Sequence, residues 1–86
     1  MYRIKFTKKA YKQKALLKQS GLDKKVKALF AVISENPYRT PPAYEKLTGD
    51  LLGAYSRRIN HQHRLVYQVF EKEKAIKILS MWTHYE

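Results

Sequence analysis

A chain of 86 residues, 44 % hydrophobic and 13 % aromatic, is long enough for one modest core but too short for repeats or a second core. It contains no cysteine, which excludes disulfide scaffolds, thiolate zinc sites and cysteine nucleophiles. The net charge of +11 is concentrated at one end: residues 1–27 hold ten Lys and Arg against the single Asp23, or +9, while the rest holds eight basic against six acidic residues, or +2. Such a field attracts polyanions, so nucleic acid, an anionic membrane surface and an acidic protein are the candidate partners, unless the lysines only solvate a helix face.

Residues 2–6 alternate, with Tyr2, Ile4 and Phe6 on one side, and predict a first strand. Thr7 caps a helix over about 8–18, with Tyr11, Ala15 and Leu16 as its apolar stripe and Ser20-Gly21 as its stop. Leu22, Val26, Leu29, Phe30 and Ile33 recur at helical spacing, so a second helix runs over 22–36 until Pro37. Residues 37–50 hold all three prolines and read as an irregular connector with at most a turn of helix. Strands follow at 54–59, 64–70 and 75–82, joined by a hairpin loop at 60–63 and a charged turn at 71–74. The last strand is apolar on both sides, through Ile76 and Ile78 on one and Leu79 and Met81 on the other, which predicts an interior place in the sheet. The sum is a single α+β domain over 1–86, strand-helix-helix followed by antiparallel strands, with the helical hairpin on one face of the sheet. Apolar runs such as 29–33 and 78–79 are far too short for a bilayer, and the N-terminus is charged from Arg3 onward, so no membrane association and a cytoplasmic location are expected.

Hairpin parity decides which basic side chain joins Arg64. With an even loop, Arg57 shares its face; with an odd loop, Arg58 does. His61 and His63, spaced i, i+2, with His84 as a third ligand, form a weak metal candidate without a carboxylate at ligand spacing, and no metal or cofactor is expected. Ser34, Ser56 and Ser80 lack a nucleophile context. What remains is Glu45, the hairpin arginines and the near-terminal His84-Tyr85. RNA cleavage without metal needs a base for the 2′-OH, cations for the phosphorane and an acid for the leaving oxygen, and these residue types can fill all three posts. Trp82 in its apolar strand reads as packing, whereas Tyr44 suits either packing or base stacking.

The strings Glu45-Lys46-Leu47, Leu52-Gly53, Tyr55-Ser56-Arg57-Arg58-Ile59, His63-Arg64-Leu65-Val66-Tyr67 and His84-Tyr85 resemble the YoeB (Txe) toxins of the RelE superfamily, ribosome-dependent mRNA interferases of toxin-antitoxin modules. The resemblance implies a RelE-like fold, Glu45 as general base, Arg64 as phosphate-stabilising cation, His84 as general acid and Tyr85 as its aromatic partner. Lys46 and Arg58 fall where the family keeps supporting cations; with Arg57 and Tyr44 they complete the candidate substrate-binding set. The implied partners are mRNA, the 70S ribosome with its rRNA, and a cognate acidic antitoxin of YefM/Axe type, with monomer and homodimer both open. Departures lie at Ala54-Tyr55, usually doubly aromatic, at Pro41-Pro42, at Met81-Trp82-Thr83, and at Glu86, which follows the His-Tyr pair and, if turned toward His84, raises its pKa. The competing readings are a non-catalytic toxin like ParE, which acts on gyrase, and a plain basic RNA- or ribosome-binding module.

Overall fold

The computed structural model describes residues 1–82; His84, Tyr85 and Glu86 lie outside the described residues. The first strand, β1 (Arg3–Phe6), leads directly into α1 (Lys8–Gln19), because the Thr7 hydroxyl accepts the Ala10 N–H at 3.1 Å and so satisfies one of the free donors of the first turn. The helix stops at Gly21, where φ is +75°. There the Gly21 N–H reaches the Lys18 carbonyl at 3.2 Å and the Leu22 N–H the Leu17 carbonyl at 2.9 Å, the paired bonds of a Schellman stop. Helix α2 (Asp23–Glu35) buries Val26, Leu29 and Ile33 as its periodicity predicts, and ends because Asn36 is forced extended before Pro37.

The buried face of α1 differs from the expected stripe. Ala10, Gln13 and Leu17 face the core, while Tyr11 and Leu16 are 64 % and 39 % exposed. A polar residue takes the inner position because the Gln13 side-chain oxygen accepts the Met81 N–H at 2.7 Å, where the last strand has run out of ladder partners. Tyr11 is left outside with the Lys14 ammonium 4.8 Å from its ring; the same ammonium lies 4.1 Å from Phe6.

Four further strands, β2 (Tyr44–Lys46), β3 (Ala54–Arg58), β4 (Arg64–Phe70) and β5 (Ala75–Ser80), complete a sheet of order β1-β5-β4-β3-β2. The three junctions from β5 to β2 are antiparallel, and β1 joins β5 in parallel, so β5 is interior as its two apolar sides predict. The connector departs from expectation by contributing β2; its single helical turn is Gly49–Leu51. Three residues alternating Tyr, Glu and Lys carry no strand signal without knowledge of the partner strand.

Pairing between β4 and β5 jumps from Val66↔Ser80 to Tyr67↔Ile78, a bulge that inserts one residue. It returns Met81 to the side of Ile76 and Ile78, whereas Leu79 packs with Leu47, Ala54 and Val66 on the other. The expectation that Leu79 and Met81 share a side is therefore corrected, and β5 ends at Ser80 rather than 82. The main core lies between the helices and the sheet, where Leu65, Ile76 and Ile78 are fully buried, each worth about 1.5–3 kcal/mol. Among the described residues the helix-free face carries a small cluster of Leu47, Ala54 and Val66 with Leu51 and Leu79 packed against it, and exposed Glu45 and Arg58 stand on the same face.

Candidate active site on the open face of the sheet

The β3–β4 loop sets the geometry of the site. The Asn60 side-chain oxygen accepts the N–H groups of Gln62 at 2.9 Å and His63 at 2.7 Å, and the Ile59 N–H donates to the His63 carbonyl at 2.9 Å, so three residues make the turn. An odd loop places Arg58 opposite Arg64 and Arg57 opposite Leu65. Arg58, not Arg57, thus shares the open face with Arg64.

On that face Glu45 of β2 stands opposite Ser56 of β3, next to Arg64 of β4. Arg64 Nη1 donates to Glu45 Oε1 at 2.7 Å and to Ser56 Oγ at 3.4 Å. The Glu45 side chain is 65 % exposed and that of Arg64 25 %, so a phosphate can reach both. Directly opposed like charges on neighbouring strands repel, and the one carboxylate of Glu45, bonded to Arg64, leaves the Arg58–Arg64 pair net positive, which an anion would relieve. Ser56, nearly fully buried beneath the pair, is a contributor that chain order alone does not mark; its alternation with Glu45 becomes visible only once β2 and β3 are paired.

Arg57 belongs to the opposite, helix-covered side. It is wholly buried and cannot touch substrate, which corrects its assignment as a substrate-binding cation. Its Nε donates to Tyr67 Oη at 3.0 Å, and its terminal nitrogens donate to the carbonyls of Pro37 at 3.0 Å, Arg39 at 2.8 Å and Pro42. Tyr44 faces the same way, half-buried, its ring 5.2 Å from Arg57 Cζ and in edge contact with Tyr55. Lys46, exposed, also starts from the side opposite Glu45, paired with Tyr55. Burial pushes the Tyr67 phenol up, against the opposing pull of Arg57. Farther along the connector, Tyr38 and Tyr2 donate to the two Glu71 oxygens at 2.7 Å each. Those hydroxyls, Tyr2 first, hold the Glu71 carboxyl below its usual range; Tyr38 is pushed well up by burial and then by Glu71.

His61 is exposed in the loop, and His63 is buried with its ring stacked on Trp82 at 4.1 Å. Among the described residues no three His, Asp or Glu gather as metal ligands. The stack with His63, the chain neighbour of Arg64, brings the last described residue, Trp82, to the Arg64 end of β4. His84 and Tyr85 fall outside the described residues. No helix is long and apolar enough to cross a membrane among the described residues.

Comparison with known proteins agrees with this architecture. The family described as YoeB-like toxin of bacterial type II toxin-antitoxin system matches residues 6–85. Toxin YoeB of Synechocystis sp. is 35 % identical over 63 residues, 73 % of this chain and 71 % of that protein. Toxin YoeB of Streptomyces coelicolor is 40 % identical over 53 residues, 62 % of this chain and 63 % of that protein, so this match spans less than two thirds of the relative. Among solved structures, a chain of the YoeB-YefM complex from Staphylococcus aureus superposes with a TM-score of 0.83 at 38 % identity, covering 99 % of each chain. A YoeB/ParE toxin from Agrobacterium tumefaciens reaches 0.88 at 24 % identity over 96 % of this chain and 99 % of that one, a likeness of fold. With the family match running almost from end to end, this chain belongs to the YoeB toxins of bacterial type II toxin-antitoxin systems.

Proposed function

We propose that this toxin is a ribosome-dependent endoribonuclease that cleaves mRNA without a metal ion. The observation that carries the reading is the Glu45–Arg64 contact of 2.7 Å on the open face, assembled from β2 and β4. An exposed pair of this kind contributes only about 0–1 kcal/mol to stability, so holding the fold together is a poor explanation for it. In the proposed reaction Glu45 accepts the proton of the RNA 2′-OH as O2′ bonds to phosphorus. Arg64, with Arg58 beside it, balances the extra negative charge of the phosphorane, and Arg64 exchanges its carboxylate partner for the phosphate oxygen. The P–O5′ bond breaks as His84 donates a proton to O5′, with Tyr85 helping to position the substrate. The products are a 2′,3′-cyclic phosphate and a 5′-hydroxyl. The lysine-rich helices provide sequence-independent affinity for rRNA phosphates. By likeness to the Staphylococcus aureus YoeB-YefM complex and YoeB dimer, the partner is an acidic antitoxin of YefM type, and a homodimer is an accessible form.

Primer extension on translated mRNA tests the reading. Glu45→Ala, Arg64→Ala and His84→Gln are expected to fold and to lose cleavage, with the acid and the base each worth about 10²- to 10⁴-fold. The unaltered protein should produce new 5′-hydroxyl ends only when ribosomes are present, and equally well when the toxin has been stripped with chelator and freed of it before the ribosomes are added. Full activity in all three variants, or growth arrest without new RNA ends, overturns the proposal.

A further inference from the structure

Arg57 is the one charged residue without any exposure among the described residues, and its guanidinium faces no carboxylate. Burying a cation is unfavourable, and an apolar side chain of similar volume often serves stability equally well. A guanidinium here therefore does something that packing cannot. Three of its four acceptors are carbonyls of residues 37–42, the segment that leads into β2. That strand has only three residues, lies at the sheet edge with one neighbour, and buries no side chain fully: Tyr44 is half-buried, and Glu45 and Lys46 are exposed. Its first residue, Tyr44, lies across the sheet from Arg57 and rests its ring against the same guanidinium.

We infer that Arg57 is a positioning residue which, by clamping the connector carbonyls and Tyr44 from the helix side of the sheet, fixes β2 and thereby holds Glu45 against Arg64 on the other side. The inference rests on the reading of Glu45 as the general base. A lysine keeps the charge but is a single point with three donors, and it does not span three carbonyls and a phenol at once. Freeing the edge strand lets the carboxylate drift, and a misplacement of about 1 Å costs on the order of 10²-fold in rate.

The test is a mutant cycle with a structural readout. In Arg57→Lys, amide exchange at residues 45–47 should rise at least about 10-fold while residues 65–69 and 76–78 stay protected. For cleavage of translated mRNA, kcat should fall about 30- to 100-fold, with KM for the programmed ribosome within about 3-fold. In a Glu45→Gln background the same change should cost less than about 3-fold further, because the group it positions is already gone. If Arg57→Lys does not fold, Tyr67→Phe, which removes both the acceptor of Arg57 Nε and the hydroxyl bond to the Pro37 carbonyl at 2.8 Å, should give the same pattern at about 3- to 10-fold in kcat. Unchanged exchange at 45–47, a uniform rise across the sheet, or losses that multiply in full with those of Glu45→Gln would overturn the inference. An unaltered protein that cuts no mRNA removes the ribonuclease reading instead, and the exchange pattern by itself then decides whether Arg57 holds β2.

Discussion

The buried bond between Gln13 and Met81 is a sensitive point, because it joins α1 to the end of β5 just before the chain continues toward His84. Gln13→Met isolates it: glutamine and methionine have similar length and helix propensity, but the thioether is a poor acceptor. The Met81 residue is fully buried and Gln13 nearly so, and the bond is short at 2.7 Å, so the orphaned Met81 N–H has little access to replacement water. Leaving a buried donor unsatisfied costs about 1–3 kcal/mol. For a domain of this size each kcal/mol moves the melting temperature by about 4–8 °C, so the expected drop is about 4–24 °C. Thermal unfolding followed by circular dichroism gives the shift, and amide exchange at Met81 locates it. A drop below about 2 °C with the Met81 amide still protected would show that this bond does not anchor the strand end. Gln13→Glu retains an acceptor and should be less damaging wherever its carboxylate stays bonded to that N–H.

Two further outcomes follow from local structure. Gly21→Ala meets no atom within 4 Å, so its cost is conformational, about 1–2 kcal/mol for a side chain in the left-handed region. The urea midpoint should fall with the slope unchanged, and an unchanged midpoint would contradict the Schellman stop. Glu71, whose carboxyl is held down by the Tyr2 and Tyr38 hydroxyls, contributes stability above its ordinary value of 4.5, and this is lost as pH falls through the depressed folded value. The melting-temperature gap between the unaltered protein and Glu71→Gln should therefore be open at neutral pH and narrow on acidification. A gap independent of pH would contradict this.

The parts of the fold legible in the chain are those governed by near neighbours. Thr7 and Gly21 bound α1, five apolar residues at helical spacing define α2, and two apolar sides put β5 inside the sheet. The hidden parts depend on distant contacts. The phase of α1 turns on an amide partner 68 residues away, which hydropathy does not register. Strand β2 has no pattern of its own and forms by pairing with β3. The bulge that returns Met81 to the helix side is a single extra residue in the pairing of β4 with β5.

The candidate site divides in the same way. Charge, the absence of cysteine and the types of chemical group at hand are properties of composition and were determined by the sequence alone. Which arginine faces the open side was decided by the parity of one loop, since side chains alternate along a strand and a shift of one residue exchanges the faces. The meeting of Glu45 with Arg64, 19 residues apart, likewise belongs to the folded sheet, where three strands bring the two groups within hydrogen-bonding distance.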